Sequence, residues 1–279
     1  MTSRFYVGSV AGALAAAVLT PALAQAPDFR MEWTAGANQP IDYSWADVNG
    51  QPGGFGDMMG YGSWELPGDE AIRTGWNYTG TLVGSGESGL PDDPPGFWTL
   101  QWNCVFNEQT DGVATGSGAF VTANIVVTNN DPINIQNFSL LMSLPTKAYG
   151  DVYERGSVVG TVTDITFDDA TVFAPAGSQI YTPRIDGIDE APGLLLQDPF
   201  SASAGGPLQS APVGPADFGI PFWETSSQEV DSNIGIFLSF DLTPGDSASF
   251  TAIFEIAPIP GPAALPLLAM GLLIRRRRR

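Results

Sequence analysis

The sequence predicts an all-β chain, a two-sheet antiparallel β-sandwich of Ig-like or jelly-roll-like type, on three observations. Four segments alternate apolar and polar residues with the period of a strand that buries one face. Gly (33) and Pro (23) are abundant while charged residues make up only 15% of 279, a balance that favours short strands joined by turns. Between the two ends, no stretch repeats its apolar residues at helical spacing.

The first strand is read at Ala119 to Thr128, where Ala119, Val121, Ala123, Ile125 and Val127 share a face and Thr122, Asn124 and Thr128 lie opposite. Asn129-Asn130-Asp131-Pro132 then breaks the chain before a second strand carrying Phe138, Leu140, Met142 and Leu144. A third alternation runs through Ile234, Ile236, Leu238, Phe240 and Leu242, and a fourth through Ala248, Phe250, Ala252, Phe254 and Ile256. Between them, Thr243-Pro244-Gly245-Asp246 suits a type II turn, with Pro fixing φ and Gly accepting positive φ. Type II turns splay hairpin strands, so this link is expected to cross between the two sheets. Trp98, Leu100 and Trp102 share a strand face and are assigned to the core, with Cys104 beside them as a small core residue. Gly187 to Ser227, rich in Pro, Gly, Ser and Ala, is expected to form long surface loops pinned by Phe218, Ile220, Phe222 and Trp223. Gln51 to Gly62 is expected to be a further loop.

Composition then narrows the function. Hydrophobic residues are 43% of the chain, with 16 Phe and 7 Trp, enough for a substantial core. Setting aside Arg4 and the five terminal arginines, Arg30, Arg73, Lys147, Arg155 and Arg184 face thirty acids, a formal charge of five against thirty, or −25. Such a body has no basic cluster for phosphate, so nucleic acid is excluded as a partner. Histidine is absent, which removes Ser-His-Asp and Cys-His catalysis and every His-containing zinc site. Cys104 is the single cysteine, so no internal disulfide holds the fold.

Both ends carry addresses. Residues 1–26 read as a secretory signal: Arg4 is the basic region, Val7 to Leu19 the apolar stretch, and Ala24-Gln25-Ala26 the signal-peptidase site, with cleavage expected after Ala26. Residues 27–257 form the expected ectodomain. Residues 258–279 combine the prolines of Pro260-Gly261-Pro262, an apolar stretch from Ala263 to Ile274, and Arg275, Arg276, Arg277, Arg278 and Arg279. The apolar stretch as a helix would reach only about 18 Å, short of the roughly 30 Å hydrocarbon core. It therefore suits a transient inner-membrane stop, with the arginines held on the cytoplasmic side.

This tripartite tail resembles the PEP-CTERM sorting signal of bacterial exported envelope proteins, with Pro260-Gly261-Pro262 standing where that family usually has Pro-Glu-Pro. The resemblance implies an exosortase-like processing enzyme as a partner. It also implies delivery to the cell envelope, the surface or a polysaccharide-rich extracellular matrix.

A search for chemistry finds acids and tryptophans. Asp92-Asp93, Asp164 with Asp168-Asp169, and Asp186 with Asp189-Glu190 are carboxylate clusters of the type a hydrolase needs. No catalytic residue is assigned from them. Calcium is a possible ligand of the same oxygen-rich loops, with Asp186-Gly187-Ile188-Asp189-Glu190 and Asp47-Val48-Asn49-Gly50 as candidates. Neither loop matches a defined signature, so the metal ligands are left unknown and no other cofactor is expected. Trp45 and Trp64 flank the Gly-rich loop and are the candidates for stacking on sugar rings. The favoured reading is a non-enzymatic structural or adhesive envelope protein. The alternative is an extracellular carbohydrate-binding module that meets exopolysaccharide, calcium-dependent or not, and a carboxylate-dependent secreted hydrolase is the third reading.

Overall fold

A computed structural model describes residues 30–36, 41–44, 61–64, 73–84, 97–108 and 118–259. The signal residues Ala24 and Ala26, the tail from Pro260 through Arg279, and the Asp47 and Asp92-Asp93 segments lie outside them. Among the described residues no helix is long and apolar enough to cross a membrane.

Two antiparallel sheets hold almost the whole described chain. Along the main path, the first is ordered β11 (Ile188–Asp189), β10 (Gln179–Ile185), β16 (Asn233–Leu242), β7 (Gln136–Pro145), β1 (Arg30–Ala35) and β2 (Ile41–Ser44). The short strands β9 (Ala170–Phe173), β12 (Leu195–Gln197) and β13 (Ser201–Ala204) are attached to its side. The second sheet is ordered β14 (Ser210–Phe218), β8 (Val152–Thr163), β17 (Ser247–Pro258), β6 (Ala119–Asn129), β5 (Trp98–Glu108), β4 (Arg73–Gly84) and β3 (Tyr61–Trp64), with β15 (Glu224–Thr225) on β8.

The alternating strands form because each must bury one face and hydrate the other. In the second sheet the buried residues line up across strands: Leu100, Val127, Ala248 and Val162 make one row, and Trp102, Ile125, Phe250 and Gly160 the next. The facing rows of the first sheet include Trp33, Leu140, Leu238 and Tyr181. Rings meet between the sheets, Phe240 on Phe250 at 4.8 Å between centroids and Trp33 on Trp98 at 5.3 Å. The result is a β-sandwich-like fold with one continuous apolar core.

The Thr243–Asp246 link crosses from β16 in the first sheet to β17 in the second, as expected of it. Gly245 sits at φ 74°, and a Cβ there would collide with Thr166. Cys104 and Trp98, Leu100 and Trp102 are buried in the core.

The Gly187 to Ser227 segment departs from its expected form. It contains β11, β12, β13, β14 and β15, with a single 3-10 turn at Ala191–Gly193. Its longest strand, β14, carries Pro212 and Pro215, which an edge strand tolerates, and its register on β8 shifts between Val213 and Ala216. Of the four expected pinning residues, Phe218 is buried, Ile220 and Phe222 are exposed, and the Trp223 ring stacks under the guanidinium of Arg155 at 4.3 Å. Within Gln51 to Gly62, residues 61 and 62 already belong to β3, and residues 51–60 lie outside the described segments.

Candidate functional site

The outer face of the second sheet is built from the solvent-facing half of each alternation, mostly polar but with Val126, Val159 and Ile253 exposed among it. Thr81, Gln101, Val126, Ser249 and Thr161 lie side by side across β4, β5, β6, β17 and β8. One step along, Asn103, Asn124, Thr251 and Val159 make the next row, and Thr99, Thr128, Ser247, Thr163 and Ser210 flank the first row on its other side. Strand geometry sets neighbouring rows about 7 Å apart and neighbouring strands about 4.8 Å apart. Several hydroxyls are held by their neighbours: Thr251 Oγ1 donates to Asn124 Oδ1 at 2.9 Å, and the Thr161 and Ser249 hydroxyls pair at 2.8 Å.

An open trough of about 710 Å³ crosses β4, β5, β6 and β17, and its polar lining is Thr81, Gln101, Asn103, Asn124, Ser249 and Thr251. Among the described residues no charged residue lines it. In a chain whose body carries thirty acids, a charge-free concavity with hydroxyl and amide groups suits a neutral, hydroxyl-rich ligand.

A second arrangement lies inside the sandwich. Glu154 occupies a core position of β8, on the same face as Val152, Val158 and Val162, and is fully buried. Neither of its carboxyl oxygens has a hydrogen-bond partner. Burial, then the carboxylates of Glu190 and Glu224, push its pKa from an ordinary 4.5 up to about 8. Glu154 is therefore a neutral acid at pH 7. Tyr181, also fully buried, donates its phenol to the Ile253 carbonyl at 2.8 Å and so ties the two sheets. Burial and the nearby Glu154 hold that phenol well above its usual range. Gly156 leaves room for the contact, since a Cβ there would stand 2.5 Å from the Tyr181 oxygen.

The acidic clusters singled out in the sequence separate. Asp186 accepts from the Asp231, Ser232 and Asn233 backbone N–H groups and from the Ser232 hydroxyl. Burial alone would raise its pKa, but these donors hold it below the ordinary carboxylate range. Asp189 pairs with Arg184 at 2.7 Å, and Glu190 is buried, accepting from Ser227 and Gln228. The three carboxylates of the proposed calcium loop thus have protein donors, and the segment is the turn between β10 and β11 with its flank. Asp164 and Asp168 do come together, joined by Asp246 from eighty residues away, whereas Asp169 turns aside to accept from the Gly206 N–H. Asp246 has its pKa raised by burial, against the hydrogen bonds of Thr243 and Ile165, with the charges of Asp168 and Asp164 adding to the rise.

Trp64 ends β3 opposite Arg73, at the far edge of the second sheet, and Trp45 lies outside the described residues. Sequence reading missed both Glu154 and the trough. The signal for Glu154 is in the sequence: Val152, Glu154, Gly156, Val158, Gly160 and Val162 alternate with residues that are polar apart from Tyr153 and Val159, placing an acid on an apolar face.

No family model matches the chain, and no curated protein matches it. A solved structure, the infectious bursal disease virus VP2 subviral particle, aligns at 11% identity over 90% of this chain and 74% of its own, with a TM-score of 0.09. A superposition that poor carries no argument.

Proposed function

We propose that the chain is an exported, non-enzymatic envelope or matrix protein that acts by adhesion, and that the neutral trough across β4, β5, β6 and β17 is its contact surface for polysaccharide. The trough carries the reading. Its side chains offer hydroxyl and amide groups that can both donate and accept, matched to the hydroxyls of a sugar chain. Its open, strand-crossing shape admits an extended polymer rather than a small enclosed ligand. With no carboxylate in its lining, it has no acid-base pair for glycoside cleavage, so adhesion is favoured over hydrolysis there. The ends of the sequence supply the route: signal peptidase at Ala26, a transient inner-membrane stop, and an exosortase-like enzyme acting on the Pro260-Gly261-Pro262 tail.

Affinity electrophoresis of the full chain through gels containing neutral glucans, or acidic polymers as a comparison, tests the contact surface. Retardation by a neutral polymer should fall about tenfold or more in the double variant Asn124→Ala/Gln101→Ala, whose positions face outward and carry no core packing. Migration unaffected by every neutral polymer would refute the proposal. The sorting route is tested by mass spectrometry of the surface fraction: loss of Arg275–Arg279 is expected, and an intact arginine terminus on mature protein would refute tail removal.

A further inference from the structure

We propose that Asp164, Asp168 and Asp246 form a divalent-cation site, suited to Ca²⁺, that fastens two crossovers between the sheets. Asp164 and Asp168 belong to the β8–β9 connection, which leaves the second sheet for the first. Asp246 belongs to the β16–β17 connection, which runs the other way. One carboxylate oxygen from each of the three lies within 4.8 Å of the other two, inside the roughly 5 Å span of a calcium oxygen shell.

The second observation is an orphaned oxygen. Asp164 is fully buried; its Oδ1 accepts from the Phe167 N–H at 2.7 Å, but its Oδ2 is buried with no partner. A buried carboxylate oxygen without a donor costs free energy that a bound cation would recover. Asp246 is also fully buried, its oxygens receiving the Ile165 N–H and the Thr243 hydroxyl, while Asp168 is exposed and opens the cluster to solvent. No protein cation serves it: the ion pairs among the described residues, Arg155 with Glu255 and Arg184 with Asp189, lie elsewhere. The cluster therefore has the charge of a cation site, one ligand with a free lone pair, and an entry path. With no disulfide to hold the crossovers, the ion would bind only the folded chain and so stabilise it.

The full chain, stripped with chelator and titrated with CaCl₂, tests this by calorimetry and thermal unfolding. A single Ca²⁺ should bind, and at about a hundredfold excess over Kd it should raise the unfolding midpoint by roughly 5–10 °C. Asp168→Asn, an exposed change read against its own chelated midpoint, should weaken binding about tenfold or more; Asp164→Asn should abolish it. If Asp164→Asn fails to fold, Asp168→Asn decides the matter alone. No midpoint shift in the unmodified chain at saturating calcium would overturn the proposal, as would a shift that survives undiminished in Asp168→Asn.

Discussion

Raising the pH from about 5 to about 9 should weaken this fold, and Glu154 should account for most of the loss. Its carboxyl group has a pKa of about 8 in the folded chain against an ordinary 4.5, because burial and then the carboxylates of Glu190 and Glu224 oppose its ionisation. Below the ordinary value both states hold the proton, and the contribution to stability is fully present. Between the two values the unfolded chain releases a proton that the folded chain keeps, so stability falls by about 1.4 kcal/mol for each pH decade. Above the folded value the loss is complete. The three decades between about pH 5 and pH 8 therefore remove roughly 4 kcal/mol, a large share of the 5–15 kcal/mol typical of a domain. Glu154→Gln keeps the shape and removes the titration. Urea unfolding followed by tryptophan fluorescence at the two pH extremes should show the variant losing about 4 kcal/mol less than the parent. Asp246, also raised, is present in both proteins and cancels in the comparison. Asp131 and Asp186 are held low, so their contribution is present above their ordinary values and is lost only at the acid end. Parallel pH profiles for parent and variant would refute the reasoning.

Three other perturbations have defined outcomes. Tyr181→Phe should cost about 1–2 kcal/mol in urea unfolding, because it leaves the Ile253 carbonyl without its inter-sheet donor; a neutral result would mean the bond adds nothing net. Phe240→Ala should cost about 3–5 kcal/mol, since the ring is fully buried between Phe138 and Phe250, and a loss below about 1 kcal/mol would contradict that packing. Asp186→Ala removes a carboxylate that accepts from three backbone N–H groups and one hydroxyl. It should cost about 1–3 kcal/mol and raise amide exchange at Asp231, Ser232 and Asn233, as read by NMR.

How far the sequence could be read depended on how each strand meets solvent. β6, β7 and β17 each bury one face, and β16, buried on much of both, keeps small or polar residues such as Gly235 and Ser239 on its second face, so all four alternate in sequence and their bounds agree within a few residues. β10 is buried through most of its length on both faces, and a strand of that kind leaves no alternation to find. β14 was hidden by its prolines, which mimic loop composition although an edge strand accommodates them. The polar positions of the trough were half legible: Asn124, Ser249 and Thr251 stand out on the faces opposite the core. What no linear pattern gives is the register that sets Asn124 beside Thr251 and Asn103. The same holds for the acids, since Asp164 and Asp168 are neighbours in sequence but their third partner arrives through a turn that looked purely conformational.

The polar residues of the sandwich divide into two kinds of work, and the division bears on function. At the ends they close the structure. Asn129, buried, donates to the carbonyls of Asn134, Leu242 and Thr243 and accepts from the Asp131 N–H, tying the β6–β7 loop to the β16–β17 crossover. Asp186 does the same for the β10–β11 turn and the approach to β16. Replacing Asn129 leaves buried groups without partners, and replacing Asp186 frees three backbone N–H groups that fix a turn, so both identities are explained by the fold. Gln101 and Thr251 are exposed, and the bonds of Thr251 and Ser249 run sideways to a neighbouring side chain rather than inward to the backbone of a loop. A solvated strand face built only for solubility could carry the acids that the rest of this chain uses so freely. The trough itself carries none among the described residues, since the outward acid of β17, Glu255, lies beyond it in an ion pair with Arg155, and that local neutrality is why the trough, rather than the buried acids, is proposed as the contact with polysaccharide.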